Sequence, residues 1–364
     1  MPRLVPQIIA SSFIIVGSMM TLELAGAVET IRFRESDGDV ERTVIGELMV
    51  EAQNGDVMIR ADDGRIWTIE IDTLIDRKSD DVELVPMDTD QAAQRLLAEL
   101  GDDFAIYRTQ NYAILYNGSD QHARQVGGLF EKLYRGFFTF WKNQRWNLPE
   151  PRFPLVAVVL RDHRTFLDHA GKEIGERAKT VIGYYNFETN QMTTFNVPNW
   201  ERNVATIIHE ATHQLAFNCG LQTRFADNPM WVSEGLATFF ETPDMKSPGT
   251  WRSIGAVNPV KLSHWRIYER TRPAESLATL LADDVRYLNT STATQAYAEG
   301  WALTYFLITT KRKEYIKYLK ALSEGKPAVV QPPRERIKMF EDAFGMDLVE
   351  LDKSFVKFMR RVRL

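Results

Sequence analysis

The sequence predicts an α+β chain, a small strand-rich module followed by a larger mixed domain whose later part is helical. Three observations carry this. Between residues 28 and 85 apolar and polar residues alternate, punctuated by Asn54-Gly55 and Asp63-Gly64, dipeptides that accept positive φ and turn tight hairpins. From Asp88 to Val197 helical spacing interleaves with short apolar strands. After Asn199 the long segments repeat their apolar residues at i, i+3 and i+4, the period of a helix.

Composition bounds the rest. A chain of 364 residues with 44 % hydrophobic and 26 % charged residues is long enough to bury a large core. The formal net charge of −5 argues against a nucleic-acid partner, which needs a basic face. The run Lys311, Arg312, Lys313, Lys317, Lys320 reads as the solvated side of a helix. With Cys219 as the one cysteine, no intrachain disulfide forms.

Taken in order, residues 1–27 read as an export signal. Arg3 precedes the apolar stretch "LVPQIIASSFIIVGSMMTLELAGA", which ends in the small residues Ala25-Gly26-Ala27. Pro6 and the serines argue against a permanent span. The expectation is a secreted or periplasmic protein with no stable membrane insertion after cleavage before Val28. Residues 28–85 then predict three or four short strands closed into a small β-barrel of the Src-homology type. It has no convergent His, Cys or carboxylate cluster, so it is expected to pack or dock.

The boundary falls near Pro86-Met87-Asp88, and residues 86–364 form the second domain. "DQAAQRLLAELG" is helical, and "FAIYRTQ" and "YAILYNG" are strands joined at Gln110-Asn111. After Ser119-Asp120, Val126, Phe130, Leu133, Tyr134, Phe137 and Trp141 form a helical core stripe. "PLVAVVL" is a buried strand. "GYYNFET" and "QMTTFNV" form a hairpin turned at Asn190-Gln191. Two long helical patterns close the chain.

The chemistry concentrates in "IIHEATHQLAF", Ile207 to Phe217. Asn199 caps this helix and Gly220 stops it. Each residue turns about 100° around the axis, so His209 and His213 share one side with Glu210 beside them. Val204, Ile207, Ile208, Ala211 and Leu215 form the opposite, apolar side. Imidazoles at i and i+4 can reach one ion while the apolar back anchors the helix. A catalytic zinc takes three protein ligands and a water. The third is expected in "NPMWVSEGLATFFETP", a helix capped by Asn228, opened by Pro229 and ended by Pro243. There Glu234 stands among Trp231, Val232, Leu236, Ala237, Phe239 and Phe240, and a lone carboxylate is costly to bury unless paired with a cation.

"HEATH" followed by "WVSEGLATFFE" resembles the gluzincin metallopeptidases, and the second string is similar to the W-x-x-E-G-x-A pattern of their aminopeptidase branch. "AYAEGWALTYFL" resembles the helix that follows the active site in gluzincin-like bacterial secreted families, many of unknown function. The likeness spans roughly residues 100 to 364. It implies a thermolysin-like catalytic domain binding one Zn2+ per chain, with His209, His213 and Glu234 as ligands and Glu210 as general base. Two departures concern the aminopeptidase branch. The gap between His213 and Glu234 is two residues longer, and no motif for a substrate amino terminus is present.

The expected activity is zinc-dependent hydrolysis of a peptide or protein substrate. Glu210 takes the water's proton and passes it to the leaving nitrogen. Tyr297 is the first choice of oxyanion donor, on its place in the helix where the resembling families often carry a tyrosine, and His264 the second. The strand Met192 to Asn196 is expected to offer its edge to an extended peptide. Glu241, on the face of Glu234, is a candidate for orienting a ligand histidine. His122, His163 and His169 lack metal-like spacing. Two other readings share these residues: a non-catalytic, zinc-stabilised envelope or interaction protein, and a zinc hydrolase of a non-peptide amide. Glu210 separates the first from an enzyme, since a structural site has no use for an unligated base.

Overall fold

The computed structural model describes residues 27–35, 40–197, 199–242 and 254–364. The expected export signal lies outside the described residues except for Ala27. Five strands follow: β1 (Val28–Arg34), β2 (Glu41–Glu51), β3 (Val57–Ala61), β4 (Ile66–Ile69) and β5 (Leu74–Asp80). The two expected hairpin turns join β2 to β3 and β3 to β4, with Gly55 at φ 92° and Gly64 at φ 84°. One face buries Ile31, Phe33, Val44, Val57, Ile59 and Ile69.

The expected barrel is not formed. The strands make an open antiparallel sheet in the order β4-β3-β2-β1-β5. Closure requires β4 to pair with β5, and neither edge is suited to it. β4 has four residues, and its Ile66 N–H donates to Glu188 O of the second domain at 2.7 Å. β5 presents Asp76, Arg77, Lys78 and Asp80, mostly exposed, a charged edge of the kind that resists further pairing. Ion pairs of Arg152 with Glu47 (2.8 Å) and Arg65 with Glu99 (2.6 Å) tie this sheet to the second domain.

Helix α1 (Thr89–Leu100) starts at a capping box between Asp88 and Gln91. A second sheet is built from β6 (Ala105–Arg108), β7 (Tyr112–Tyr116), β8 (Leu155–Leu160), β9 (Gly183–Tyr185) and β10 (Gln191–Phe195), in the order β6-β7-β8-β10-β9. β7, β8 and β10 are parallel; β6 and β9 run antiparallel at the two edges. "YAILY" and "LVAVVL" are buried at every position, as strands are when helices cover both faces. Ala113, Leu115, Val156 and Val158 face α1 and α3 (His163–Ile174). Tyr112, Ile114, Leu155 and Ala157 face α2 (Asp120–Asn143) and α4 (Trp200–Asn218).

The remainder is helical: α5 (Met230–Phe240), α6 (Pro259–Glu269), α7 (Ser276–Ala282), α8 (Val285–Leu288), α9 (Ala293–Thr310), α10 (Arg312–Ser323), α11 (Pro333–Phe344) and α12 (Leu348–Met359). Each of the two long closing patterns is thus broken in two. Lys311 leaves helical geometry at φ −129°, ψ 36°, and Gly345 takes the left-handed conformation before Asp347 caps α12. α5 and α9 cross at Gly235 and Gly300, where a β-carbon on Gly235 would lie 2.9 Å from Gly300 O and collide with Thr304. Behind that crossing, Glu299 is fully buried between Arg272 and Arg286, each 2.7 Å away. Among the described residues no helix is long and apolar enough to cross a membrane.

Candidate metal centre

α4 is placed by its back. Val204, Ile207, Ile208, Ala211 and Leu215 are buried in the core shared with α2 and the second sheet. Gln214 Nε2 donates to Val156 O and Asn190 O, at 3.0 and 2.8 Å, pinning the helix to that sheet. Asn199 caps its start, accepting from Arg202 N, and Gly220 at φ 71° lets the chain leave. α5 begins one residue later than expected, at Met230. Its first N–H is taken by Asp284 Oδ1 at 2.8 Å, and Asn228 instead donates its amide to Thr223 O and Ala226 O. Pro243, expected to end α5, lies outside the described residues.

These helices bring His209, His213 and Glu234 together as a buried group whose ligand atoms all lie within 4.8 Å of one another. His209 Nε2 is 3.2 Å from His213 Nε2 and 3.2 Å from Glu234 Oε2, and His213 Nε2 is 3.6 Å from Glu234 Oε1. Ligands bound tetrahedrally to zinc at about 2.0–2.1 Å stand about 3.3 Å apart, so the separations suit a zinc ion. Glu234 Oε2 is buried and faces His209 Nε2, the direction from which a shared cation would be held. Glu241 Oε1 lies 2.7 Å from His209 Nδ1 and is buried, fixing that ring so that Nε2 points at the group.

The charges agree. Burial opposes a proton on His209, but Glu234 and Glu241 outweigh it and raise its pKa to about 10. Burial lowers that of His213 to about 4. For Glu234 burial raises the pKa, and His209 and His213 reverse this to a net lowering. The metal-free group therefore holds two anionic or neutral ligands and one imidazolium whose proton a metal must displace.

Glu210 stands beside this group and is not part of it. Its Oε2 accepts the Tyr185 N–H at 2.9 Å. Tyr297, in the second turn of α9, is at the site: burial and then Glu234 raise its pKa well above 10, and the Lys261 ammonium lies 4.7 Å from its ring centre. His264 is half-buried on α6 and lines neither cavity at the group.

The expected edge strand is wrong by one strand. β10, which holds Met192 to Phe195, is paired on both sides, by β8 and β9, so the free edge belongs to β9. The turn between them spans residues 186–190, with Asn190 at φ 61°. Asn186 N–H donates to Gln191 O, so by the alternation of a strand the backbone of Gly183 and Tyr185 faces away from β10. Arg224 Nη1 holds this turn by Phe187 O at 3.1 Å.

Two cavities meet at the group, both walled by Glu210 and Glu234. One, about 150 Å³, is lined by His213 and aromatic residues including Phe187, Phe217 and Phe225. The other, about 50 Å³, is lined by His209, Arg202, Lys261, Tyr297 and residues 180–183. Phe187, Phe225, Lys261 and Asp284 escaped the sequence reading. Aromatic residues in the loops "NFETN" and "TRFADN" were the one available signal.

A family described as "Protein of unknown function (DUF1570)" matches residues 203–329. The matched stretch contains His209, Glu210, His213 and Glu234. It covers well under half of the chain, and its description names no activity. No curated protein matches the chain.

Proposed function

We propose that the chain is a zinc-dependent hydrolase of peptide bonds, in which His209, His213 and Glu234 hold one zinc and Glu210 is the general base. The observation that best supports this is the place of Glu210, beside the ligand group but outside it, with its carboxylate set by Tyr185 N–H where two cavities meet. A site that only braces a fold has no use for a base there. A zinc so held supplies an acidified water and a Lewis acid for the substrate carbonyl. Glu210 takes the proton of the attacking water and delivers it to the leaving nitrogen. Tyr297, kept protonated far above neutral pH, donates a hydrogen bond to the oxygen where negative charge develops. The edge strand β9, whose outward Tyr185 N–H is already held by Glu210, leaves the outward backbone groups of Gly183 and the Tyr185 carbonyl for an extended substrate.

Glu210→Gln tests this. It keeps shape and hydrogen-bonding reach, so the variant is expected to retain zinc and the wild-type thermal transition. Cleavage of denatured casein or quenched peptides should fall at least ~100-fold, the scale of general-base catalysis. His213→Ala should lose most of the zinc. Equal cleavage by Glu210→Gln and wild type overturns the assignment; a zinc-loaded wild type that cleaves nothing points to a scaffold. We further propose export with a mature chain beginning at Val28, because a cut there leaves β1 whole and its pairing of Val28 with Glu47 intact. Amino-terminal sequencing that returns Met1 refutes this.

A further inference from the structure

The geometry points to a cleft that selects its substrate by charge and size on opposite sides of the metal group: a large apolar side chain on the His213 side and an acidic group on the His209 side. This rests on the hydrolase reading above, and it concerns residues that reading does not use.

The larger cavity has the volume to hold a ring: an engineered cavity of about 150 Å³ lined by apolar side chains takes up benzene, and this one is about 150 Å³. Phe187, Phe217, Phe225, Met230 and Leu288 supply apolar wall. Its polar residues are committed elsewhere. Ser233 accepts the Gln222 amide at 2.6 Å, Asn228 donates to two backbone carbonyls, and Asp284 is shared between Met230 N–H and Arg336. An apolar side chain entering there leaves no protein hydrogen bond broken, whereas an acidic one meets the carboxylates of Glu210, Glu234 and Asp284.

The smaller cavity is of opposite character. Arg202 and Lys261 line it; of its two carboxylates, Glu234 belongs to the candidate metal group and Glu210 accepts the Tyr185 N–H beside it. Arg202 is exposed and has no ion-pair partner among the described residues, and the Lys261 ammonium lies over the Tyr297 ring. A volume of about 50 Å³ suits a carboxylate better than a ring. Residues 180–183 continue into the edge strand β9, which runs on to Tyr185 and Phe187 at the other cavity. The two cavities also share Glu210 and Glu234 as a wall, so one extended peptide lying across that wall reaches both.

Quenched peptides whose central bond is flanked by Phe-Glu, Glu-Phe, Phe-Lys, Lys-Phe, Ala-Glu and Glu-Ala test this on the zinc-loaded full chain. For one of the two orders, kcat/KM should be at least ~10-fold higher with Glu than with Lys, and roughly 100-fold higher with Phe than with Ala. Arg202→Glu should reverse the Glu-over-Lys preference, and Phe225→Ala should reduce the Phe-over-Ala preference without touching the charge preference. Equilibrium binding of the same peptides to zinc-loaded Glu210→Gln reads the cleft independently of the chemistry. Binding preferences with no cleavage by wild type uphold the cleft and sink the hydrolase reading. Cleavage without preference, or an unchanged Glu/Lys ratio in Arg202→Glu, overturns the cleft.

Discussion

The Glu241 carboxylate touches no ion-facing atom, yet its removal should be felt at the metal. Glu241→Ala takes away the acceptor 2.7 Å from His209 Nδ1 and leaves a buried donor without a partner. Partners that orient a ligand imidazole in this way are worth 10- to 100-fold in metal affinity, which is about 1.4 to 2.7 kcal/mol. A buried unsatisfied N–H costs about 1–3 kcal/mol on its own, so the metal-free fold should lose stability as well. Glu241→Gln still accepts from Nδ1–H and loses only the charge, and it should fall between wild type and Glu241→Ala on both measures. The assay is a competition titration of zinc against a chromophoric chelator, run beside thermal melts of the metal-free proteins. Zinc affinity in Glu241→Ala equal to wild type would refute the reasoning, because it would mean that helix packing alone orients His209.

Zinc affinity should depend on pH with a known sign. In the metal-free protein His209 is charged up to about pH 10 and His213 neutral down to about pH 4. Between these limits binding releases one proton, so log affinity should rise by about one per pH unit; a flat profile rejects His209 as the proton carrier. The same raised pKa lends the metal-free fold stability that is complete below the unfolded value near 6.5 and fades as pH climbs toward about 10. Gly235→Ala should destabilise by about 1–3 kcal/mol, as overpacking does, because its β-carbon meets Gly300 O and Thr304. Chemical denaturation measures this, and a wild-type midpoint disproves the close crossing of α5 and α9.

The candidate metal-binding group was legible because it is written locally. His209 and His213 share a face by spacing alone, and Glu234 stands out as a charge in an otherwise apolar helix. Gly55 and Gly64 announced their turns for the same reason, since positive φ selects glycine. What the sequence hid is what depends on distant partners. Alternation shows that β4 and β5 are strands but does not say that Ile66 pairs with Glu188 in place of closing a barrel. "QMTTF" reads alike as an edge or an interior strand until β8 is known to lie beside it. Gly345 offered a visible stop between α11 and α12, whereas Lys311 breaks α9 from α10 with no residue type that demands it. The walls of the cavities come from segments as far apart as Tyr185 and Leu288, and no local pattern joins them.

The turn between β9 and β10 is suspended from two directions, by Ile66 N–H on Glu188 O and by Arg224 on Phe187 O. The amino-terminal sheet contributes nothing to the His209, His213 and Glu234 group, yet β4 is linked to Glu210 by two hydrogen bonds, Ile66 N–H to Glu188 O and Tyr185 N–H to Glu210, and the four residues 185–188 between them. A substitution in that sheet can thus bear on the surroundings of Glu210 while His209, His213 and Glu234 stay as they are, so the candidate site is open to inherited change from a part of the chain outside it.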